Sequence, residues 1–127
     1  MDLTLRPDDT LILVIDVQEK LLPAMEEGLR ARVLANVERL GKAAALLGVP
    51  VVLTEQYPKG LGHTVERVKA DFAGAPVLEK LCFDATKDDV IAQAIAATGR
   101  KKVVVAGMET HVCVYQSVRS LAATRWS

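Results

Sequence analysis

Runs of apolar residues along the chain predict the strands of a sheet. The first run occupies residues 11–15, five consecutive apolar residues that are mostly β-branched. Such a run is typical of a strand that is buried on both faces. Similar runs follow at 49–53 and 103–106, and a shorter one lies at 77–78. The pattern therefore predicts four strands that other layers of the protein cover.

Between these runs, apolar residues recur every three or four positions, as on one face of a helix. One series extends from Leu29 to Leu47 and is followed by Gly48, which suits a helix end. A second begins after Thr86, which suits an N-cap, and ends near Gly99. Strands that alternate with helices predict a three-layer α/β/α sandwich around a parallel, doubly wound sheet.

Composition and charge narrow the class of protein. The chain has 127 residues, 50% of them hydrophobic, which suits one domain over residues 1–127. Sixteen basic and sixteen acidic residues cancel and only 4% of residues are aromatic, so no nucleic-acid partner is expected. No apolar run approaches the roughly 20 residues that span a membrane, and the N-terminus does not resemble a secretory signal. We therefore expect a cytoplasmic protein that has no membrane partner.

Candidate chemistry follows the predicted strands. Asp16, Lys80 and Cys113 come after the first, third and fourth strands, and ligands of parallel sheets bind beyond the carboxyl ends of the strands. Cys113 also begins the last predicted helix, where the helix dipole stabilises a thiolate and free N–H groups can bind an oxyanion. A thiolate, a proton acceptor and a cation are the groups that acyl transfer through a thioester requires.

Each of these residues also has a simpler structural explanation. A lone cysteine is often packed in a core, a carboxylate after a strand can cap the turn, and a lysine at a rim is often solvated. Cys82 is expected in or near the core, and His63 in a loop. With two cysteines and two histidines, the chain cannot form a structural zinc site or a His-rich metal site, although a mixed site with carboxylates stays open.

The segments around these residues resemble the isochorismatase-like cysteine hydrolases. The resemblance is carried by Ile-Asp-Val-Gln at 15–18, Glu-Lys at 79–80 and Gly-Met-Glu-Thr-His-Val-Cys at 107–113. The segment Thr-Glu-Gln-Tyr-Pro-Lys-Gly-Leu-Gly at 54–62 is similar to the subgroup called isochorismatase domain-containing proteins. The resemblance covers residues 11–123 and implies a catalytic triad of Asp16, Lys80 and Cys113 that needs no cofactor. In this family the cysteine attacks a carbonyl carbon, the aspartate accepts its proton and the lysine stabilises the charges.

Further site residues come from the same resemblance. It implies a cis peptide between Met108 and Glu109 that turns backbone N–H groups toward an oxyanion, and Val112 belongs to that site. The expected walls of the substrate pocket are Gln18, Tyr57 and Phe83. Nicotinamidases of this family carry an Asp-x-His metal site after the second strand, whereas this chain has Glu-Gln-Tyr at 55–57. No metal is therefore expected, and nicotinamide is not implied as the substrate.

The end of the sequence adds an expectation about assembly. Members of the family usually continue into two more strands of a sheet ordered 3-2-1-4-5-6, so the resemblance implies a C-terminally incomplete domain with its last strands missing. The edge of the fourth strand then predicts a homo-oligomer.

Two functions stay open. The first is a cysteine hydrolase that acts on a small amide or a related acyl substrate. The second is a catalytically impaired, truncated remnant that only self-associates or binds. A thiol redox role for Cys113 is disfavoured, because the sequence has no CxxC pair.

Overall fold

Over residues 2–126, which this computed structural model describes, the chain forms four strands and five α-helices. The strands are β1 (Thr10–Ile15), β2 (Val51–Gln56), β3 (Val77–Lys80) and β4 (Lys102–Gly107). The helices are α1 (Glu27–Leu47), α2 (Pro58–Leu61), α3 (Glu66–Asp71), α4 (Asp89–Ala97) and α5 (Tyr115–Trp126). Short 3-10 turns lie at Leu22–Ala24 and Ala85–Lys87, and a π-helical turn at Thr110–Val114 precedes α5. The chain thus has two short helices, α2 and α3, between β2 and β3.

The sheet is parallel and has the order β3-β2-β1-β4. In the register of this sheet, Ile15 pairs with Thr54 on one side and with Gly107 on the other. Because β1 is central, all six of its residues are buried, which explains its continuous apolar run. This topology confirms the predicted doubly wound α/β architecture, and within residues 2–126 no strand pairs with the outer edges of β3 and β4.

Two apolar cores lie on opposite faces of the sheet. Alternate residues of β1 point to opposite faces, so Ile12 and Val14 belong to one core, and Leu13 and Ile15 to the other. The first core also contains residues of α1 and α3, namely Leu34, Val37, Ala44 and Val68. The second contains Ile91 and Ile95 of α4 together with Ala85 and Cys113. The candidate nucleophile therefore lies within a packed core.

Side chains and a glycine fix the helix ends. The carboxylate of Glu26 accepts hydrogen bonds from the N–H groups of Gly28 and Leu29, and α1 ends at Gly48, whose φ is 68°. The N-cap of α4 is Asp88, whose carboxylate accepts from Ile91 N–H at 3.0 Å. Thr86, the N-cap expected from the sequence, lies instead in the preceding 3-10 turn. None of the helices in the described part of the chain has the length and apolar character needed to cross a membrane.

Gly41 allows α1 to approach the end of α3. A Cβ added at position 41 would lie 2.9 Å from both the Cβ and the backbone oxygen of Asp71. Real Cβ atoms essentially never come this close to another heavy atom. A side chain at this position would therefore separate the two helices.

We expect Gly41→Ala to lower the free energy of unfolding by about 1–3 kcal/mol, the usual cost of overpacking. Gly28→Ala in the same helix is the control, because its Cβ would approach no backbone atom outside its own helix and only the Glu26 carboxylate, at 3.3 Å. It should change the free energy of unfolding by less than Gly41→Ala, because the end of a side chain can shift more easily than backbone. Urea unfolding of both variants measures the difference, and equal effects would contradict the packing argument.

Candidate active site

Asp16 and Lys80 form a buried ion pair at the carboxyl ends of the strands. Asp16 directly follows β1, and Lys80 is the last residue of β3. Lys80 Nζ lies 2.9 Å from Asp16 Oδ2, and both side chains have 0% exposure. The structure thus joins two of the three residues that the sequence singled out.

Neighbouring strands complete the hydrogen bonds of this pair. The hydroxyl of Thr54 donates to Asp16 Oδ1 at 2.8 Å, so each carboxylate oxygen has a partner. The Lys80 ammonium donates to Asp16 Oδ2, to Gln56 Oε1 at 2.6 Å and to the carbonyl oxygen of Phe83 at 3.2 Å. An ammonium has three N–H donors, so these three acceptors hold the charge of Lys80 in one place.

Cys113 is the third member of the cluster, and its environment favours the neutral thiol. It is buried, with 2% exposure. Burial raises the pKa of the Cys113 thiol to about 11, and the charge of Asp16 and a hydrogen bond to it act in the same direction. The ammonium of Lys80 lowers the pKa of Cys113, but by less. Cys113 therefore lies beside both members of the ion pair and is protonated at neutral pH.

This result corrects the expectation of a thiolate stabilised by a helix N-terminus. Cys113 lies inside the π-helical turn Thr110–Val114, and α5 begins two residues later. The N–H groups of Val112 and Val114 already donate to the carbonyl oxygen of Glu109, at 3.0 and 3.2 Å. Loss of water around the sulfur and the negative charge of Asp16 outweigh any effect of the helix.

The expected oxyanion site also differs in detail. No peptide bond within residues 2–126 is cis, so the cis peptide implied for Met108–Glu109 is wrong. The chain turns instead through the positive φ angles of Gly107 (154°) and Glu109 (64°). The N–H of Met108 donates to Ile15 O at 2.9 Å, and that of Val112 is occupied within its turn. Neither N–H is free to bind an oxyanion.

Gly107 is required where β4 passes the end of β1. A Cβ at position 107 would lie 2.2 Å from the backbone oxygen of Ile15. This close approach brings the loop that carries Cys113 next to Asp16, which follows Ile15 in the chain. The glycine of the Gly-Met-Glu-Thr-His-Val-Cys segment therefore has a steric role at the site.

The three predicted pocket residues occupy different environments. Gln18 is fully buried. Its side-chain amide donates to the carbonyl oxygens of Gln56 and Gly62 and accepts from Gln56 N–H. Backbone groups of this chain, and not a substrate, therefore use its hydrogen-bonding atoms. Tyr57 and Phe83 are about half exposed, at 50% and 52%. Tyr57 lines a cleft of about 830 Å³ that extends to Lys80 and Cys82.

Thr54 and Gln56 contact the ion pair, although neither was expected among the site residues. Alternate residues of a strand share a face, so these two side chains point together toward the ion pair. Glu55, between them, turns to the other face and accepts from Thr64 N–H at 2.5 Å and from its hydroxyl at 2.7 Å. Two polar residues spaced by two at the end of an apolar strand were the available signal.

Glu55 ties β2 to the loop that follows α2. Its Oε1 lies 3.1 Å from Nδ1 of His63. Burial alone would raise the pKa of Glu55, but the hydrogen bonds from Thr64 and His63 hold it below its usual value. Within residues 2–126, no group of three or more His, Cys, Asp or Glu side chains is placed to hold a metal ion.

We expect Glu55→Gln to reduce the loss of stability that occurs when the pH is lowered. A carboxyl with a lowered folded-state pKa contributes stability at neutral pH that is lost as the pH falls through that pKa. Thermal unfolding at neutral pH and at about pH 3 should therefore show a smaller loss in the variant. Glu79→Gln is the control, since Glu79 is exposed on β3. Equal losses of stability on acidification in Glu55→Gln and Glu79→Gln would contradict the stabilising role of the Glu55 carboxylate.

Comparison with known proteins defines the class of this chain. The isochorismatase domain family matches residues 10–124, so the chain belongs to that family. It is 37% identical over 130 residues to isochorismatase domain-containing protein 1 of Danio rerio, which covers 95% of this chain and 43% of that protein. Against isochorismatase domain-containing protein 2 of the same species, identity is 32%, over 83% of this chain and 51% of that protein. The chain thus spans about half the length of these relatives.

Solved structures share the fold. The MAR1 ribonuclease of Caenorhabditis elegans has a TM-score of 0.85 at 31% identity, over 94% of this chain and 60% of that one. The YcaC gene product of Escherichia coli, described as an octameric hydrolase of unknown specificity, has a TM-score of 0.89 at 28% identity, with coverages of 98% and 62%. YcaC from Pseudomonas aeruginosa, described with hexane-2,5-diol and covalent acrylamide, has a TM-score of 0.88 at 28% identity, with coverages of 94% and 60%. These findings confirm the family and the fold that the sequence indicated.

The acidity of Cys113 provides a direct test of the site geometry. In a Cys82→Ser background, Cys113 is the one remaining thiol of the chain, and its ultraviolet thiolate absorbance should titrate near pH 11. Asp16→Asn should lower that pKa, because it removes a negative charge that raises it. An unchanged or higher pKa in Asp16→Asn would show that the thiol and the carboxylate are not neighbours.

Proposed function

We propose that this chain carries the catalytic side chains of a cysteine hydrolase that cleaves a small amide or a related acyl compound. The observation that supports this is the buried cluster of Asp16, Lys80 and Cys113, in which a neutral thiol lies beside a carboxylate. A thiol becomes a nucleophile when a neighbouring base accepts its proton. Asp16 is that base, and no metal or cofactor takes part.

The first half of the reaction forms a thioester. The sulfur of Cys113 attacks the carbonyl carbon of the substrate while its proton passes to Asp16, so the negative charge moves from the carboxylate to the substrate oxygen. Lys80, held between Asp16 and Gln56, stabilises the negative charge that develops on the substrate oxygen. The C–N bond then breaks as Asp16 returns the proton to the leaving nitrogen.

The second half releases the acid. A water molecule attacks the thioester carbonyl, and Asp16 accepts a proton from that water. The C–S bond breaks, and the proton returns to the sulfur of Cys113. The cycle therefore uses one proton acceptor twice and restores the neutral thiol.

Two descriptions of relatives support this assignment. One relative of the same fold carries covalent acrylamide, a small amide that is also an electrophile, and another is described as an octameric hydrolase. By analogy, we propose that this chain also works as a homo-oligomer. The chain spans about 60% of those two proteins, and its own hydrolase activity is therefore proposed by analogy.

A second candidate function is a binding protein that does not turn over a substrate. It is favoured by the burial of all three side chains, with at most 2% exposure, and by the occupied N–H groups of Met108 and Val112. Such a protein would keep the cluster but hydrolyse nothing.

Turnover of a panel of small amides, carbamates and esters separates the two candidates. We expect Cys113→Ala to abolish hydrolysis and Asp16→Asn to reduce kcat by about 100-fold or more, the usual contribution of a general base. Cys82→Ser, which alters the other thiol, should retain hydrolysis, because serine keeps a donor for the carbonyl oxygen of Asp84, to which Cys82 Sγ donates at 3.4 Å. Hydrolysis that survives in Cys113→Ala would contradict the assignment, and an inactive parent chain that still binds panel members would favour the second candidate.

A further inference from the structure

The segment 83–86, which follows β3, touches both halves of the candidate site. On one side, the carbonyl oxygen of Phe83 accepts a hydrogen bond from the ammonium of Lys80 at 3.2 Å. On the other side, the N–H of Ala85 donates to the hydroxyl of Ser117 on α5 at 2.9 Å. Both Ala85 and Ser117 are fully buried. The segment therefore connects Lys80 to the helix that follows Cys113.

Asp84 adds a second connection between the same elements. One carboxylate oxygen accepts from the N–H of Thr86 at 2.9 Å and from its hydroxyl at 2.7 Å. The other accepts from the hydroxyl of Ser120 on α5. The carboxylate thus holds its own loop and the helix together, and we call Asp84, Ala85, Ser117 and Ser120 the clasp.

The clasp holds α5 just after the turn that carries the thiol. Cys113 lies in the π-helical turn that precedes α5, and it belongs to the same core as Ala85. Ser117, four residues after Cys113, accepts from the N–H of Ala85, and Ser120, three residues further on, lies on the same face of α5. A hydrogen bond at Ser117 therefore fixes how deeply the start of this helix, and the sulfur with it, enters the core.

We propose that Ser117 is a positioning residue that sets the depth of Cys113 against Asp16 and Lys80 through its hydrogen bond to Ala85. The inference rests on the proposed function and deepens it, because Ser117 touches neither the reacting atoms nor the ion pair. Its hydroxyl acts through the segment 83–86, which also supplies the third acceptor of Lys80. The same contact thus aligns the nucleophile and the cation.

Removal of the Ser117 hydroxyl should make the Cys113 thiol more acidic and at the same time slow turnover. Without it, the buried N–H of Ala85 loses its partner, and a buried unpaired donor is unfavourable. The segment and α5 then separate or admit water. Because burial and the charge of Asp16 are the main causes of the high pKa of Cys113, looser docking lowers that pKa. Turnover falls at the same time, because the sulfur is no longer aligned with its proton acceptor.

The experiment compares Ser117→Ala with Ser117→Thr in the Cys82→Ser background. We measure the rate of iodoacetamide alkylation of Cys113 against pH, together with kcat and KM for any amide that the parent hydrolyses. In Ser117→Ala the pH profile of alkylation should shift toward lower pH by about one unit, which corresponds to about a tenfold larger thiolate fraction at mildly alkaline pH. Its kcat should fall by up to about 100-fold with little change in KM. Ser117→Thr keeps a hydroxyl and should restore the parent values.

A general loss of stability is the main competing explanation. Val37→Ala, in the core on the opposite face of the sheet, destabilises the protein without touching the clasp and should leave the alkylation profile of Cys113 unchanged. Ser120→Ala removes the hydrogen bond from Ser120 to Asp84, and it should shift the alkylation profile of Cys113 in the same direction as Ser117→Ala but by less. This variant decides the test if Ser117→Ala does not fold.

The outcomes separate this inference from the proposed function. An unchanged alkylation profile in Ser117→Ala and Ser120→Ala, or an equal shift in Val37→Ala, would overturn the positioning role. If the parent chain hydrolyses no amide, the proposed function fails, whereas the alkylation profile still decides whether Ser117 positions the thiol.

Discussion

The buried ion pair between Asp16 and Lys80 is the constraint on which the rest of the site depends. Transfer of two charges out of water costs several kcal/mol per ion, and only close geometry with all hydrogen bonds made offsets that cost. Here Thr54, Gln56 and the carbonyl oxygen of Phe83 supply the remaining partners. Those partners come from the ends of neighbouring strands, so the pair requires the order β3-β2-β1. A register shift of one residue would turn these side chains to the other face.

The sequence predicted the fold and placed Asp16, Lys80 and Cys113 at one edge of the sheet, but it did not predict the high pKa of Cys113. The apolar runs located the strands, and the rule that parallel strands end at one edge placed Asp16 near Lys80. The sequence has no comparable pattern that shows how deeply a given side chain is buried in a core. Cys113 was expected at a helix N-terminus, but it lies in a π-helical turn and packs in the second core. The same holds for Gln18, because its side-chain amide bonds to the backbone of Gln56 in β2 and of Gly62 in the loop after α2, which only the folded chain brings together.

A neutral resting thiol is compatible with nucleophilic chemistry. Intrinsic nucleophilicity of a sulfur rises with its pKa, so a thiol that gives up its proton only during attack forms a strong nucleophile. The negative charge of Asp16 that raises the pKa of Cys113 is also the charge that attracts its proton. In the proposed reaction, one interaction would therefore keep the resting thiol protonated and also supply the base when a carbonyl carbon is in place.

Burial also limits how a substrate could reach the thiol. Cys113 is 2% exposed and Asp16 is fully buried, whereas the cleft of about 830 Å³ is lined by Tyr57 and Lys80. Of the three clustered residues, only Lys80 lines this cleft. Phe83 accepts a hydrogen bond from Lys80 through its carbonyl oxygen, while about half of its own surface is exposed. A substrate bound in the cleft would therefore meet the Lys80 side of the cluster first, and the proposed hydrolysis would require access from there to the sulfur.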